Sequence, residues 1–346
     1  MGLKQLTNSD LAELLALEAE TVKSPTASKA LRKASRHALS WECEARDLLK
    51  DSSSLTELEG VGPYIEKKMK EWFDNVPDLP EKDSTRSDFL TRTEARSILG
   101  ANPNWIKQYR GDLQMHTVWS DGSATVREMA EEAIRRGYAY IAVTDHSKGL
   151  KIANGIDEGR LAKQGEEINS LNVEFTRLKK SFRVLKAIEM NINPQGKGDM
   201  DDAALQKLDL VVGSFHSALR KKEDQTARYL AALENPRVHI LGHPRGRIYN
   251  YRNGLSANWK EVFAKAADLG KAVEIDSFPD RQDLNVDLLL LAKKSGCLIA
   301  IDTDAHHPWQ LEFAEFGLAA ALKAELDPGK IINFMEIPQL LARFRK

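Results

Sequence analysis

Apolar and polar positions change their period along the chain. Near the start, Leu11, Leu14, Leu15, Leu17 and Val22 recur at helical spacing behind the capping side chains of residues 7–10, which predicts an amphipathic helix. A second helix is expected after Ser24 and Pro25, carrying Lys29, Arg32, Lys33, Arg36 and His37. Those bases form either a solvated face or a phosphate-contacting one. Residues 55–72 predict a helix, a turn at Gly60-Val61-Gly62 and a further helix, with Pro63 suited to its first turn. Residues 75–87 are polar and hold Pro77 and Pro80, and a short helical stretch follows at 89–99. From Gly111 onward, short apolar strands alternate with helical stretches, the pattern of a parallel barrel or doubly wound sheet.

Strands are expected at 113–116, 140–146, 184–189, 210–216, 238–243, 272–276 and 298–306, with helices at 125–136, 157–180, 313–324 and 337–344. In such folds the active site lies at the carboxyl ends of the strands. Five of the eight histidines, His116, His146, His216, His243 and His306, fall there, together with Asp121, Glu189 and Asp304. Any one of them has a packing explanation, but Glu189 ends an apolar run, and a carboxylate carried into a core without a partner is costly. Together they predict a metal site at one barrel mouth. Asp145 is expected to brace a neighbouring histidine, and His239 and His307 to be structural or exposed. Imidazole and carboxylate without thiolate suit Mn, Zn or Fe. The candidates are too many for one tetrahedral ion, so two to three divalent ions are expected, the apparatus for hydrolysing phosphate esters.

Charge and composition narrow the function classes. With 50 Lys and Arg against 51 Asp and Glu, the chain is no whole-molecule magnet for nucleic acid, and any such contact must be local. Cys43 and Cys297 stand far apart, which argues against a disulfide framework or a thiolate zinc site and suits two buried thiols. The N-terminus has no apolar signal core and no run reaches the roughly 18 residues of a membrane span, so a cytoplasmic protein without membrane contact is expected.

The glycine turn between Leu58 and Ile65 resembles a helix-hairpin-helix element. With the two helices before it, it is similar to the small N-terminal DNA-binding domain of family X DNA polymerases; the alternative is an ordinary helical hairpin. Glycines there leave amide groups free to hold a phosphate at a helix N-terminus, so Gly60, Val61, Gly62, Lys67 and Lys68 are candidate DNA-binding residues. The motifs Gln114-x-His116 with Ser-Asp121-Gly, Thr-Asp-His146, Ile-Glu189, Ser-Phe-His216-Ser, Gly-His243-Pro-x-Gly-Arg247 and Thr-Asp304-Ala-His306 resemble the PHP (polymerase and histidinol phosphatase) family, in the form linked to bacterial and archaeal family X polymerases.

That resemblance implies an α/β fold, a distorted (β/α)7 TIM-like barrel at 111–346, preceded by a small all-α helix-hairpin-helix domain at 1–75 and a linker with one short helix at 76–110. The 35 residues of that linker fall short of the roughly 100 that a polymerase palm and fingers need, so no polymerase activity is expected. The resemblance further implies a trinuclear site. His116, Glu189 and Asp304 hold one ion, Glu189 bridges to a second held by His216 and His243, and Asp121, His146 and His306 hold the third. Arg247 and Arg281, with Arg245 beside them, are expected to bind the substrate phosphate.

Three positions depart from the family. Gln114 stands where the common pattern has a histidine; a neutral amide is a poorer donor to a transition metal, so the ion at His116 is expected to be the most weakly bound. Asn191 replaces an Asp of the polymerase-linked group, and the loop 194–199 is altered; both are expected to touch only the rim. The expected function is a divalent-metal-dependent phosphoesterase acting on single-stranded or gapped DNA 3′ ends, a 3′–5′ exonuclease or end-processing enzyme of DNA repair whose hairpin grips backbone phosphates. The alternatives are a small-molecule phosphatase of the histidinol-phosphate type and a decayed barrel serving as a DNA-binding scaffold.

Overall fold

Thr7 opens the first helix, α1 (Asn8–Thr21), with a capping box: its hydroxyl accepts the Asp10 N–H at 3.2 Å and its own N–H donates to the Asp10 carboxylate at 2.9 Å. Ser24 caps α2 (Pro25–His37), and α3 (Ala45–Lys50) follows. The hairpin differs from expectation in its first arm, where Leu55–Glu57 form a single 3-10 turn rather than a helix. The Glu66 carboxylate accepts from the Ser54 hydroxyl at 2.9 Å and the Leu55 N–H at 3.0 Å, which ties this short arm directly onto the next helix. The chain then turns through Gly60, at φ +81°, into α4 (Pro63–Asp74). Leu11, Leu15, Leu31, Leu55 and Met69 form a common core, which Phe89 and Tyr249 complete from far along the chain. The computed structural model describes residues 6–51 and 53–344; residues 1–5 of the N-terminus read above for a signal core, Ser52, and residues 345–346 at the end of the expected barrel lie outside it.

The segment expected as a linker with one helix holds two, α5 (Arg92–Gly100) and α6 (Pro103–Ile106). A four-residue helix carries too little periodicity to be seen in sequence. Nor is the segment loose: Leu90, Ala95, Leu99 and Trp105 belong to the main core.

The barrel begins with β1 (Gly111–Asp112), β2 (Tyr140–Val143) and β3 (Arg183–Lys186) in one parallel sheet. A second parallel sheet contains β4 (Glu189–Asn191), β5 (Val212–Ser214), β6 (Ile240–Leu241), β7 (Ala272–Asp276) and β8 (Leu298–Asp302), in that order. β3 and β4 are the expected strand 184–189 broken near its end, so the staves follow the order read from the sequence. Parallel bridges tie the sheet edges, His146 to Glu189 and Met115 to Ala305, the latter joining the first stave to the last. Crossing helices are α7 (Val126–Arg135), α8 (Glu158–Arg177), α9 (Asp202–Leu205), α10 (Thr226–Glu234), α11 (Trp259–Asp268) and α12 (Val286–Ser295), and α13 (Ala314–Lys323) and α14 (Ile337–Phe344) close the chain. Every residue of β2, β7 and β8 is buried, as in parallel strands covered on both faces.

Most ladders are shorter than the apolar runs suggested, because side chains take over the hydrogen bonds at the strand ends. The Leu113 N–H donates to the Asp302 carboxylate at 2.7 Å, and the Met115 N–H to the Thr144 hydroxyl at 2.9 Å. Asn333 fastens the same seam, donating to Asp302 at 2.8 Å and to the Gly111 carbonyl at 2.9 Å. Among the described residues no helix is long and apolar enough to cross a membrane. Cys43 is half-buried and Cys297 buried, and both are free thiols.

Candidate metal centre

Seven of the eight ligand-type side chains lie in loops that follow a strand, and Glu189 opens β4. After β1, the Ser-Asp121-Gly turn folds back against His116, and the Gly122 N–H donates to the Thr117 carbonyl at 3.0 Å. A Cβ at Gly122 would lie 2.4 Å from the His116 carbonyl, so only glycine permits this approach. Asp145 braces the turn rather than a histidine ring, correcting the expectation above. It accepts from the N–H groups of Thr117 at 2.8 Å and Ser120 at 3.1 Å, and from the Gln164 amide at 2.6 Å. His243 and Asp304 adopt positive φ angles, +22° and +52°, a conformation costly for residues with a Cβ and held where the surroundings impose it.

The eight candidates come together. Glu189 is fully buried, and its Oε1 lies 2.7 Å from His243 Nε2 and 3.3 Å from His216 Nε2, while its Oε2 lies 2.6 Å from His146 Nδ1 and 3.7 Å from His116 Nε2. His116 Nε2 meets Asp304 at 2.8 Å. Asp121, a third exposed at the rim, faces His306 at 3.5 Å, His146 at 3.6 Å and His116 at 4.0 Å. Ligand atoms of His116, Asp121, His146 and His306 lie within 4.8 Å of one another, as do those of His146, Glu189 and His216, so His146 belongs to both groups. The His116 ring stacks between those of His146 and His306, with centroids 4.2 and 4.4 Å away.

This donor set fits divalent cations. Among the described residues, His116 Nδ1, His146 Nδ1, Glu189 Oε2, His216 Nε2 and Gln114 Oε1 are buried without a hydrogen bond. The His146 and Glu189 atoms approach closely, yet their alignment is not that of a hydrogen bond, so both present lone pairs to the same space. Electrostatics agree. Burial alone drives the Glu189 carboxyl up, but the His216, His146 and His243 rings outweigh it and hold it well below the usual range. Burial likewise opposes, and Arg281 and His116 overcome it, in holding Asp304 well below that range. Asp121 is brought down to about 2 against its own burial by His306 and the rings beside it. The carboxylates in turn raise His243 and His306 to about 9 despite burial.

Gln114 points into the cluster, with its Nε2 donating to Glu189 Oε1 at 3.3 Å. Asn191 is not confined to the rim as expected: its Oδ1 lies 3.3 Å from His216 Nδ1, which leaves Nε2 of that ring for the centre. The altered loop reaches the rim through Asp199, which accepts from the Ser147 hydroxyl at 2.7 Å. Arg281 pairs with Asp304 at the mouth and lies 3.6 Å from Asp276. Arg247, expected beside it as a phosphate ligand, is buried, with Nε donating to the Arg281 carbonyl at 2.8 Å and Nη2 to the Asp88 carbonyl at 2.9 Å, and with its guanidinium 3.7 Å from the Phe89 ring centroid. It is placed to support the Arg281 segment. Arg245 is half-buried and donates to the Asn253 carbonyl at 2.7 Å. In the hairpin Val61 is buried, Gly60 and Gly62 are partly exposed and Lys67 is exposed, while Lys68 lies 3.2 Å from Glu18. His239 accepts the Val211 N–H at 2.9 Å and His307 caps a 3-10 turn, both structural as expected.

A layer of acids in the barrel went unassigned in the sequence. Asp112, Glu274, Asp276 and Asp302 are fully buried, and Glu274 accepts the His243 N–H. Burial, reinforced by the Asp304 charge, pushes Asp276 up to about 8 and Asp302 up to about 7. Their signal was the one that marked Glu189, an acid inside an apolar run.

The family described as "PHP domain" matches residues 112–297. The chain is 38% identical over 242 residues to the DNA polymerase/3′-5′ exonuclease PolX of Bacillus subtilis (strain 168), a match covering 70% of this chain and 42% of that protein, so the chain spans less than half the length of that relative. It is 29% identical over 236 residues to a protein of Thermoanaerobacter sp. (strain X514) named as a probable phosphatase, covering 64% of this chain and 89% of that one. Among solved structures it is similar to the histidinol phosphate phosphatase of Lactococcus lactis, complexed with zinc, L-histidinol and phosphate, at 22% identity and a TM-score of 0.48 over 63% of this chain and 95% of that one.

Proposed function

The chain belongs to the PHP domain family, and on that premise we propose that it is a metal-dependent phosphoesterase that hydrolyses phosphodiesters at DNA 3′ ends, as a 3′–5′ exonuclease or end-processing enzyme without polymerase activity. The observation that carries the chemistry is the convergence of five imidazoles and three carboxylates at one mouth, where His116 Nδ1, His146 Nδ1, Glu189 Oε2 and His216 Nε2 are buried without a hydrogen-bond partner among the described residues. Support for DNA as substrate comes from the glycine hairpin and from the similarity to a protein named as an exonuclease.

In this reading Asp121, His146, Glu189, His216, His243, Asp304 and His306, with His116, hold two to three divalent ions. Glu189 is shared between the His216/His243 side and the His116/Asp304 side, and Asp121, His146 and His306 complete the rim. When bound, the ions supply Lewis acidity, neutralising phosphate oxygens and acidifying a water. Arg281, anchored on Asp304 and one third exposed, directs its remaining donors at a non-bridging phosphate oxygen. Arg245 stands beside it, and Arg247 holds the Arg281 backbone in place. Residues 1–75 serve as the DNA-gripping part, through the amides at Gly60 and Gly62 and through Lys67; the Val61 N–H, a candidate from the sequence, is taken by the Leu58 carbonyl at 3.1 Å, and Lys68 is shared with Glu18. Residues 76–110 act as a packed connector too short for a polymerase core, and residues 111–346 carry the chemistry.

The test presents the purified protein and Mn2+ with end-labelled single-stranded DNA, gapped DNA and histidinol phosphate in parallel. Nucleotide release from 3′ ends, lost in Asp304→Ala, is expected. Preference for histidinol phosphate would make the protein a small-molecule phosphatase. Hydrolysis of none of the three would return the scaffold reading.

A further inference from the structure

A cleft of about 410 Å3 separates α2 from the loops that follow β6 and β7. Arg32 and Arg36 line one wall, and Tyr251, Phe278, Asp280 and Arg281 line the other. Its volume lies in the range of small-ligand sites. The cleft shares Arg281 with the metal-binding mouth, where its guanidinium pairs with Asp304.

The two walls are held in register. The Ser35 hydroxyl of α2 donates to the Ala12 carbonyl at 2.7 Å and lies 3.3 Å from the Tyr249 hydroxyl, and the Tyr249 N–H donates to the Asp280 carbonyl at 2.7 Å. Arg32 and Arg36 are exposed, and neither pairs with a carboxylate among the described residues; Arg32 touches only the Ser28 hydroxyl, at 3.5 Å. Lys29 and Lys33 extend the same exposed helix. On the facing wall the Tyr251 ring is 59% exposed, with the Arg220 guanidinium 4.8 Å from its centroid, and the Arg281 guanidinium lies 5.5 Å from the Phe278 ring. Among the described residues, Asp280 is the single acid that lines the cleft, against three arginines. Free guanidinium groups opposite an exposed aromatic ring match the needs of a single nucleic-acid strand, whose phosphates take the charge and whose bases take the stacking surface.

We propose that this cleft is a strand-holding subsite: Arg32 and Arg36 bind the backbone phosphates adjoining the scissile linkage, and Tyr251 stacks a base. The proposal rests on the nuclease reading and locates the strand beside Arg281 before it enters the centre. It turns the basic face of α2 from a solvated surface into part of the substrate path.

The test compares the native chain with Arg32→Ala/Arg36→Ala, Arg32→Lys/Arg36→Lys and Tyr251→Ala. Two readouts are taken: binding of a fluorescent single-stranded oligonucleotide in chelator over a range of salt, and Mn2+-dependent turnover of that oligonucleotide and of thymidine 5′-(p-nitrophenyl phosphate), which is too short to span the cleft. The double alanine variant is expected to raise KM for the oligonucleotide, to lower its turnover relative to the small diester about tenfold, and to reduce the salt slope by about 0.7 for each phosphate that an arginine no longer neutralises. The lysine variant should recover part of the loss, and Tyr251→Ala should weaken binding without changing the salt slope. If the native chain cleaves DNA and the double alanine variant binds it with unchanged affinity and slope, the cleft is overturned while the nuclease reading stands. If the native chain turns over only the small diester and binds no oligonucleotide, both fall.

Discussion

Glu189 has three imidazole nitrogens within 3.3 Å of its two oxygens and no exposure to water. Its importance was legible because an acid ending an apolar run needs partners waiting for it. All eight ligand candidates share that legibility, since each is tied to a strand end rather than to a particular register. Contacts between strands distant in sequence were not legible. Asn191 on His216, Asp302 on the Leu113 N–H and Arg247 beneath Arg281 all depend on which residues face each other across the barrel. Gln114 is intermediate: the sequence marks it as unusual, and the structure shows its amide donating to Glu189 while its oxygen has no partner. An imidazole there would add a ligand and remove that donor. After exhaustive dialysis the native chain should therefore retain fewer equivalents of metal than Gln114→His, by elemental analysis; equal retention would remove Gln114 as the cause of a weak site.

At the scale of elements, the change from helical to strand periodicity near Gly111 carries the architecture, and the order of staves follows from it. The boundaries are less legible, because side chains such as Thr144 and Asp302 replace ladder bonds where the strands end. The hairpin shows the same limit: turn and second helix are evident in Gly60-Val61-Gly62-Pro63, but the first arm is shortened by its tie to Glu66. Gly60 holds φ +81°, and a Cβ there would lie 3.1 Å from His37 Cδ2 and 3.3 Å from Ala34 Cα. Gly60→Ala should cost about 1–2 kcal/mol from the left-handed backbone alone, read from the urea midpoint at unchanged slope. A midpoint equal to that of the native chain would mean the turn relaxes without strain.

For the whole molecule, the connector decides how the N-terminal helices stand beside the barrel. Arg86 lies buried between them: Nε donates to both Glu13 oxygens at 3.0 and 3.1 Å, and Nη1 to Glu20 at 2.9 Å and to Asn250 of the barrel at 3.0 Å. Arg92 similarly joins Glu42 to Glu312 and Glu315. The sequence leaves open whether this connector fixes the two parts or lets them swing, and its tertiary partners show it clamped. Removing one member of a buried pair strands the other charge, so Arg86→Ala should destabilise the protein by about 3–5 kcal/mol. Glu13→Gln in the same chain should recover part of that loss, and a cost below about 1 kcal/mol, the worth of an exposed pair, would contradict the clamp. Deleting residues 1–75 would break the same clamp, so point substitutions such as Lys67→Glu are the cleaner probe of DNA gripping.

The proposed cutting of phosphodiesters requires a metal-dependent centre built around Glu189. The most direct measurement is release of the 3′-terminal nucleotide from a labelled oligonucleotide as Mn2+ is returned to chelator-stripped protein, for the native chain and for Glu189→Gln. The expected result is no release without metal, recovery as Mn2+ is added to the native chain, and none at any Mn2+ concentration in the variant even though its thermal transition remains cooperative. Release that persists in chelator, or that survives in Glu189→Gln, would contradict the account.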